Sequence, residues 1–118
     1  MAGNQAIDSI KCTPEECREI DKQARQTHPV LDDDLARKQH AMMFRALGNE
    51  TRLRIVGMLS LQDMCTCDIV AGLSGAASTT THHLRVLEDG GLIHSRKVGK
   101  FTIYSLDEAL IAKHQVFG

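Results

Sequence analysis

Apolar residues return along this chain in two rhythms, and the change between them near residue 92 organises the whole sequence. Up to Asp89 they recur every three to four positions, the spacing of helices with one buried face. Thr13-Pro14-Glu15-Glu16 opens the first. Thr13 can act as N-cap, Pro14 suits the first helical position and Glu16 completes a capping box. This helix should run to about Gln26, with Pro29 ending it. Asp32-Asp33-Asp34 starts a second, about Asp34 to Leu47, because three acids favour a helix N-terminus. Leu35, Met42, Ala46 and Leu47 share its apolar face, and Gly48 stops it. Asn49 caps a third helix, about Glu50 to Ser60. Leu53, Ile55, Val56 and Leu59 make that helix apolar around most of its circumference, so it should be buried. A fourth runs from near Cys67 to about Gly72, and a fifth from about Ala77 to Asp89, closed by Gly90-Gly91. In the fifth, Thr80, Leu84 and Leu87 fall at i, i+4 and i+7 and should face the core.

From Leu92 the rhythm shortens. Leu92–Lys97 and Phe101–Leu106 are enriched in β-branched and aromatic residues, and Val98-Gly99-Lys100 supplies a turn between them, which predicts a β-hairpin. A short last helix should start at about Asp107. Helices, a recognition-type helix, a hairpin and a helix in that order make a mainly α fold with one hairpin, a winged helix-turn-helix. With 118 residues the chain has room for one modest core. We divide it into an N-terminal extension, residues 1–33, with a short helix and a cysteine pair, and a DNA-binding and dimerisation domain, residues 34–118. Residues 1–11 read as a loose leader.

Composition narrows the partners. Net charge is −1, but it is unevenly placed. Residues 1–34 carry four Lys/Arg against eight Asp/Glu, and residues 35–118 carry ten against seven. The basic excess therefore coincides with the candidate DNA-reading region. Aromatics make up 3% of the chain, with no Trp, which argues against a base-stacking single-strand binder. No apolar run approaches the roughly 20 residues of a membrane span, and the N-terminus lacks a signal-peptide core, so a cytoplasmic protein without membrane partner is expected. No nucleophile–base–acid set or phosphate-cradling glycine loop is present, so no enzyme is expected.

The four cysteines fall in two close pairs, Cys12/Cys17 and Cys65/Cys67. In a reducing compartment such pairs point to metal or redox chemistry rather than structural bridges. Residues i and i+2 on an α-helix lie about 200° apart, too far round to share one ion. Cys65 and Cys67 can chelate only if Cys65 lies in extended backbone and Cys67 opens the fourth helix. A helix N-terminus should also lower the thiol pKa toward the metal-binding thiolate. With Thr13 as N-cap, Cys12 and Cys17 take the N′ and N4 positions of a staple, whose side chains meet. Two such clips make a four-thiolate site from Cys12, Cys17, Cys65 and Cys67, suited to Zn(II), Cd(II) and similar soft ions. Three of the four would suit a trigonal ion, Pb(II) or As(III). A disulfide or an apolar contact is the alternative for Cys12 and Cys17, and simple burial the alternative for Cys65 and Cys67.

The fifth helix turns Ser78, Thr79, Thr81, His82 and Arg85 away from its core face. Short hydroxyls near the start of such a helix reach base edges, and Arg85 suits phosphate. Arg96, Lys97 and Lys100 gather around the hairpin tip and should meet the DNA backbone or minor groove. His83, beside Leu84, reads as structural, and His28, His40, His94 and His114 read as solvated or structural.

Phe44-Arg45-Ala46-Leu47-Gly48-Asn49-Glu50-Thr51-Arg52-Leu53-Arg54-Ile55, Met64-Cys65-Thr66-Cys67-Asp68-Ile69, His82-His83-Leu84-Arg85-Val86-Leu87, Gly91-Leu92-Ile93, Lys97-Val98-Gly99-Lys100 and Tyr104-Ser105-Leu106 together resemble the ArsR/SmtB family of metal-responsive repressors. The resemblance spans roughly residues 40–106. Among its members the pattern is most similar to the cadmium/lead sensors of the CadC type, because a cysteine pair precedes the first core helix. It implies a homodimer that holds double-stranded operator DNA when metal-free and releases it when a soft ion binds, with Cys12 and Cys17 drawn from the partner subunit. Ala76 stands where the family has a capping Ser or Thr. Some members carry a second zinc site on the last helix, built from Asp and His. Asp107 and His114 do not match its spacing, so none is expected here. A thiol-redox repressor on the same scaffold and a small metal-trafficking protein are the competing readings.

Overall fold

The computed structural model of the chain describes residues 12–118; the leader reading for residues 1–11 falls outside them. It comprises two compact units, one ending at Lys38 and one spanning Gln39–Gly118. In the first, α1 (Pro14–Thr27) begins as the sequence predicts. The Glu16 N–H donates to Thr13 Oγ1 at 3.1 Å and the Thr13 N–H to Glu16 Oε1 at 2.9 Å, a complete capping box. Beyond His28, the sequence reading placed no helix before Asp34, yet Pro29–Asp32 makes a single turn, α2, with the proline at its first position. Asp33 then caps α3 (Asp34–Leu47), accepting from the Leu35 N–H at 2.9 Å.

In the second unit, the buried face of α3 is Met43 and Ala46. Met42, expected on that face, is 39% exposed, and Leu35, in the first unit, is exposed as well. Ala46 and Leu47 meet the core as expected, and Met43, at i with them at i+3 and i+4, takes the place read for Met42. Asn49 Oδ1 accepts from the Arg52 N–H at 3.0 Å and starts α4 (Glu50–Leu61), which buries Ile55, Val56 and Leu59. Next come β1 (Met64–Cys65), α5 (Thr66–Leu73) and α6 (Ala77–Asp89). β2 (Ile93–Val98), β3 (Phe101–Leu106) and α7 (Glu108–Lys113) complete the chain. Thr80, Leu84 and Leu87 of α6 are buried as expected.

One core collects Ile55, Val56, Leu59, Ile69, Leu84, Leu87, Leu92 and Ile93, each 3% exposed or less. Burying side chains of this kind stabilises by roughly 1.5–3 kcal/mol apiece. α6 ends in a Schellman motif: Leu92 N–H donates to Leu87 O and Gly91 N–H to Glu88 O, both at 3.0 Å, with Gly91 at φ 78°. That motif carries Leu92 into the core beside Leu87 and aims the chain into the hairpin.

The hairpin β2–β3 pairs Ile93 with Leu106 through Val98 with Phe101, so Val98 belongs to the strand and the loop is Gly99-Lys100 alone. Gly99 has φ 61°, the left-handed residue that a two-residue hairpin loop requires. β1 was not foreseen. It pairs antiparallel with the other edge of β3, Met64 opposite Tyr104 and Cys65 opposite Ile103, giving the sheet order β1-β3-β2.

Candidate metal centre and nucleic-acid interface

Cys65 sits at φ −80°, ψ 164°, as the N-cap of α5 and the last residue of β1, with Cys67 in the first turn of that helix. This is the extended-then-helical arrangement that lets an i, i+2 pair share an ion. Cys65 is half-buried and Cys67 exposed, and both are free thiols. The charge state of the Cys65 thiol is set by its neighbours Asp68 and Cys67. The Asp68 backbone N–H favours its thiolate. The Asp68 carboxylate, burial and the Cys67 thiol oppose that and prevail, so the thiol lies above its ordinary pKa. The expected lowering by the helix N-terminus is thus overturned at Cys65, because a helix start that favours an anion has already been given one in Asp68.

Cys12 and Cys17 meet across the capping box, as N′ and N4 residues should, but as a disulfide, with Cα atoms 6.2 Å apart. In that state neither offers a thiolate. Among the described residues no three His, Cys, Asp or Glu side chains gather into a metal-holding group. The expected set of four thiolates is therefore represented in the structure by one free pair, Cys65 and Cys67, and one bridged pair.

On α6, Ser78, Thr79, Thr81, His82 and Arg85 are all exposed. The Thr81 hydroxyl donates to Ala77 O at 2.9 Å. Ala76, the N-cap, supplies no side-chain acceptor, so the first-turn N–H groups of α6 stay open. A cleft of about 160 Å³ lies at this end, lined by Thr51, Arg54, Ala76, Thr79 and His83 among others.

Arg52 organises the support for α6, a role the sequence reading missed. Its Nε donates to Ala46 O at 2.7 Å and Nη2 to Arg45 O at 3.4 Å. Its Nη1 lies 3.1 Å from His83 Nδ1. One guanidinium thus joins the end of α3, the start of α4 and the middle of α6. His83 is structural, as expected. Its pKa is lowered by burial first and by the charges of Arg52 and His82 second, which keeps the ring neutral and able to accept. Alternating Arg and Leu in Thr51-Arg52-Leu53-Arg54 was the available signal, but it does not say which arginine turns inward.

On the hairpin, the three basic residues do not act alike. Arg96 was expected at the tip. Instead its guanidinium pairs with Asp63, beside β1, at 3.0 Å. Lys97 Nζ donates to Thr102 Oγ1 at 2.9 Å, across the strand pair. Lys100 projects from the loop, its Nζ 5.5 Å from the Phe101 ring centroid.

Residues 49–95 match the family described as bacterial regulatory protein, arsR family. The chain is 34% identical over 113 residues to the transcriptional repressor SmtB homolog of Synechocystis sp., covering 90% of this chain and 85% of that one. It is 41% identical over 69 residues to the cadmium resistance transcriptional regulatory protein CadC homolog of Staphylococcus aureus. There the match covers 58% of this chain and only 57% of the relative's length. Among solved structures, it resembles the homodimeric winged helix-turn-helix DNA-binding domain of a possible ArsR-family transcriptional regulator from Mycobacterium bovis. That likeness has a TM-score of 0.61 at 28% identity, covering 67% of this chain and 77% of that one.

Proposed function

The chain belongs to the ArsR family of bacterial transcriptional regulators, and from that premise we propose that it is a homodimeric repressor whose hold on operator DNA is released when a soft metal ion binds its cysteine thiolates. One observation carries the reading. Cys65 and Cys67 straddle the junction of β1 and α5, two free thiols with one in extended and one in helical backbone. Cys65 is paired through β3 to the basic hairpin, and Cys67 lies in the first helix of the helix-turn-helix. An ion pulling the two sulfurs onto one centre bends the join between both DNA-contacting parts. A coupling of this kind is typically about 1–3 kcal/mol, roughly 5–150-fold in DNA affinity.

Cd(II), Pb(II) and Zn(II) suit the sulfur donors, and As(III) suits three of them. Cys12 and Cys17 join the set when reduced. In this reading residues 34–118 read DNA and dimerise, while residues 1–33 are an extension that delivers the second thiol pair. Ser78, Thr79, Thr81, His82 and Arg85 face the operator, with Lys97 and Lys100 on its backbone. The exposed Met42 and Phe117 and the homodimeric relative support a dimer.

The test is fluorescence anisotropy on an operator selected from random duplexes. Reduced protein should bind without metal and release on Cd(II) or Zn(II) addition. Cys65→Ser and Cys67→Ser should keep the metal-free affinity and lose the release; variants that still release at wild-type metal levels refute the thiolate site. The Cys12–Cys17 bridge favours a second reading, redox control. An oxidant such as diamide takes two electrons and two protons from the thiol pair, and should then release DNA without metal unless Cys12 is replaced by Ser.

A further inference from the structure

We propose that His40 and His114 form a second metal site, a two-imidazole clip for a borderline divalent ion such as Zn(II), separate from the cysteines. His40 lies on α3 and His114 caps the C-terminus of α7, both within the second unit. Their ring centroids are 5.4 Å apart at 60°. Phe44 packs edge-on against both, its centroid 4.9 Å from His40 and 5.7 Å from His114.

The separation is what chelation needs. With a Zn–N bond of about 2.0–2.1 Å, two imidazoles on one tetrahedral ion place their centroids roughly 5 Å apart. The rings therefore already stand near the distance at which one ion could hold both. Imidazole nitrogen suits Zn(II) and Ni(II).

Availability separates this pair from the other histidines of the unit. His83 is taken by Arg52, and His94 Nε2 lies 2.9 Å from Asp107 Oδ2. His82 is exposed on the DNA-reading face of α6. Neither the His40 ring nor the His114 ring makes a hydrogen bond or ion pair among the described residues, and both residues are half-buried. Asp107, the residue that sequence spacing would pair with His114, is unavailable to it. Its Oδ1 accepts from the Leu110 N–H and its Oδ2 faces His94. The site thus differs in residues and position from an Asp–His site on the last helix. It joins α7 to α3, with solvent completing the coordination and Phe44 walling one side.

The experiment uses the full chain carrying Cys65→Ser and Cys67→Ser, with the Cys12–Cys17 disulfide intact so that no thiolate remains. Zn(II) is titrated by calorimetry, and the imidazole Cε1–H signals are followed by NMR in the same protein. We expect saturable uptake, with the His40 and His114 signals moving together while those of His28, His82, His83 and His94 stay in place. Adding His40→Gln or His114→Gln should abolish the uptake, with circular dichroism reporting an unchanged fold. No saturable uptake, uptake that survives either glutamine, or movement of other histidine signals instead would each overturn the proposal. Since the thiolates are absent throughout, the outcome is independent of the cysteine reading.

Discussion

Ala76→Ser should stabilise the protein by about 1 kcal/mol, within a range of roughly 0.5–2, by completing the N-cap of α6, the proposed DNA-reading helix. Ala76 already holds the extended conformation of an N-cap, φ −73° and ψ 138°, and is exposed, so a hydroxyl meets no steric cost. The open N–H groups of Ser78 and Thr79 lie where an N-cap oxygen accepts. With an unfolding entropy near 2.1 cal/mol/K per residue over 118 residues, 1 kcal/mol corresponds to a Tm increase of about 4 °C. Urea unfolding at fixed protein concentration measures it, because a dimer's midpoint moves with concentration. Ala76→Val, with bulk but no acceptor, should give none of the gain. Ala76→Asp adds a charge the helix N-terminus favours, so it should stabilise at least as much as serine. It also sets that charge where phosphate would approach, so it should weaken DNA binding while Ala76→Ser spares it. An unchanged midpoint for Ala76→Ser, or an equal gain for Ala76→Val, would refute the capping argument. Unweakened DNA binding by Ala76→Asp would remove the start of α6 from the interface.

Three further outcomes follow from the geometry. Lys100→Ala should flatten the salt dependence of DNA binding by close to one phosphate contact, about 0.9 in the log–log slope, whereas Arg96→Ala should change it less because Asp63 already neutralises that guanidinium; equal slopes would reverse the assignment. His83 binds a proton more readily unfolded than folded, so its contribution to stability is intact above the ordinary imidazole value near 6.5 and is lost as pH falls through the lowered folded-state value. Urea midpoints across that window should fall in the wild type and stay flatter in His83→Gln, which keeps an acceptor for Arg52. Gly91→Ala should cost about 1–2 kcal/mol in the same urea assay although its Cβ would meet nothing closer than Leu110 Cδ2 at 3.9 Å, since the penalty comes from φ 78° alone; an unchanged midpoint would show that the Schellman turn tolerates a side chain.

Most of the helical frame was legible because its signals are local. Thr13 with Glu16, Asn49 before Glu50, and Gly91 after Asp89 each fix a boundary through hydrogen bonds that span six residues or fewer. Where partners are distant, sequence spacing misled or fell silent. The stripe on α3 could be drawn through Met42 or Met43 with equal periodicity, and only packing against the α4–α6 core chose Met43. β1 is two residues long, far below any readable alternation, and exists because β3 offers it an edge.

The same division runs through the candidate site. The extended Cys65 and helical Cys67 were deducible, since only that backbone lets the pair share an ion. The pKa of Cys65 was not, because it depends on a balance at one atom. The Asp68 N–H favours the thiolate, while the carboxylate of the same residue, burial and Cys67 oppose it. Binding a cation changes that balance, since the nearby negative charge that raises the thiol pKa attracts the ion that displaces the thiol proton. The Asp68 carboxylate therefore discourages the empty thiolate and favours the occupied one. In the proposed sensor, that favours the protonated Cys65 thiol until an ion arrives.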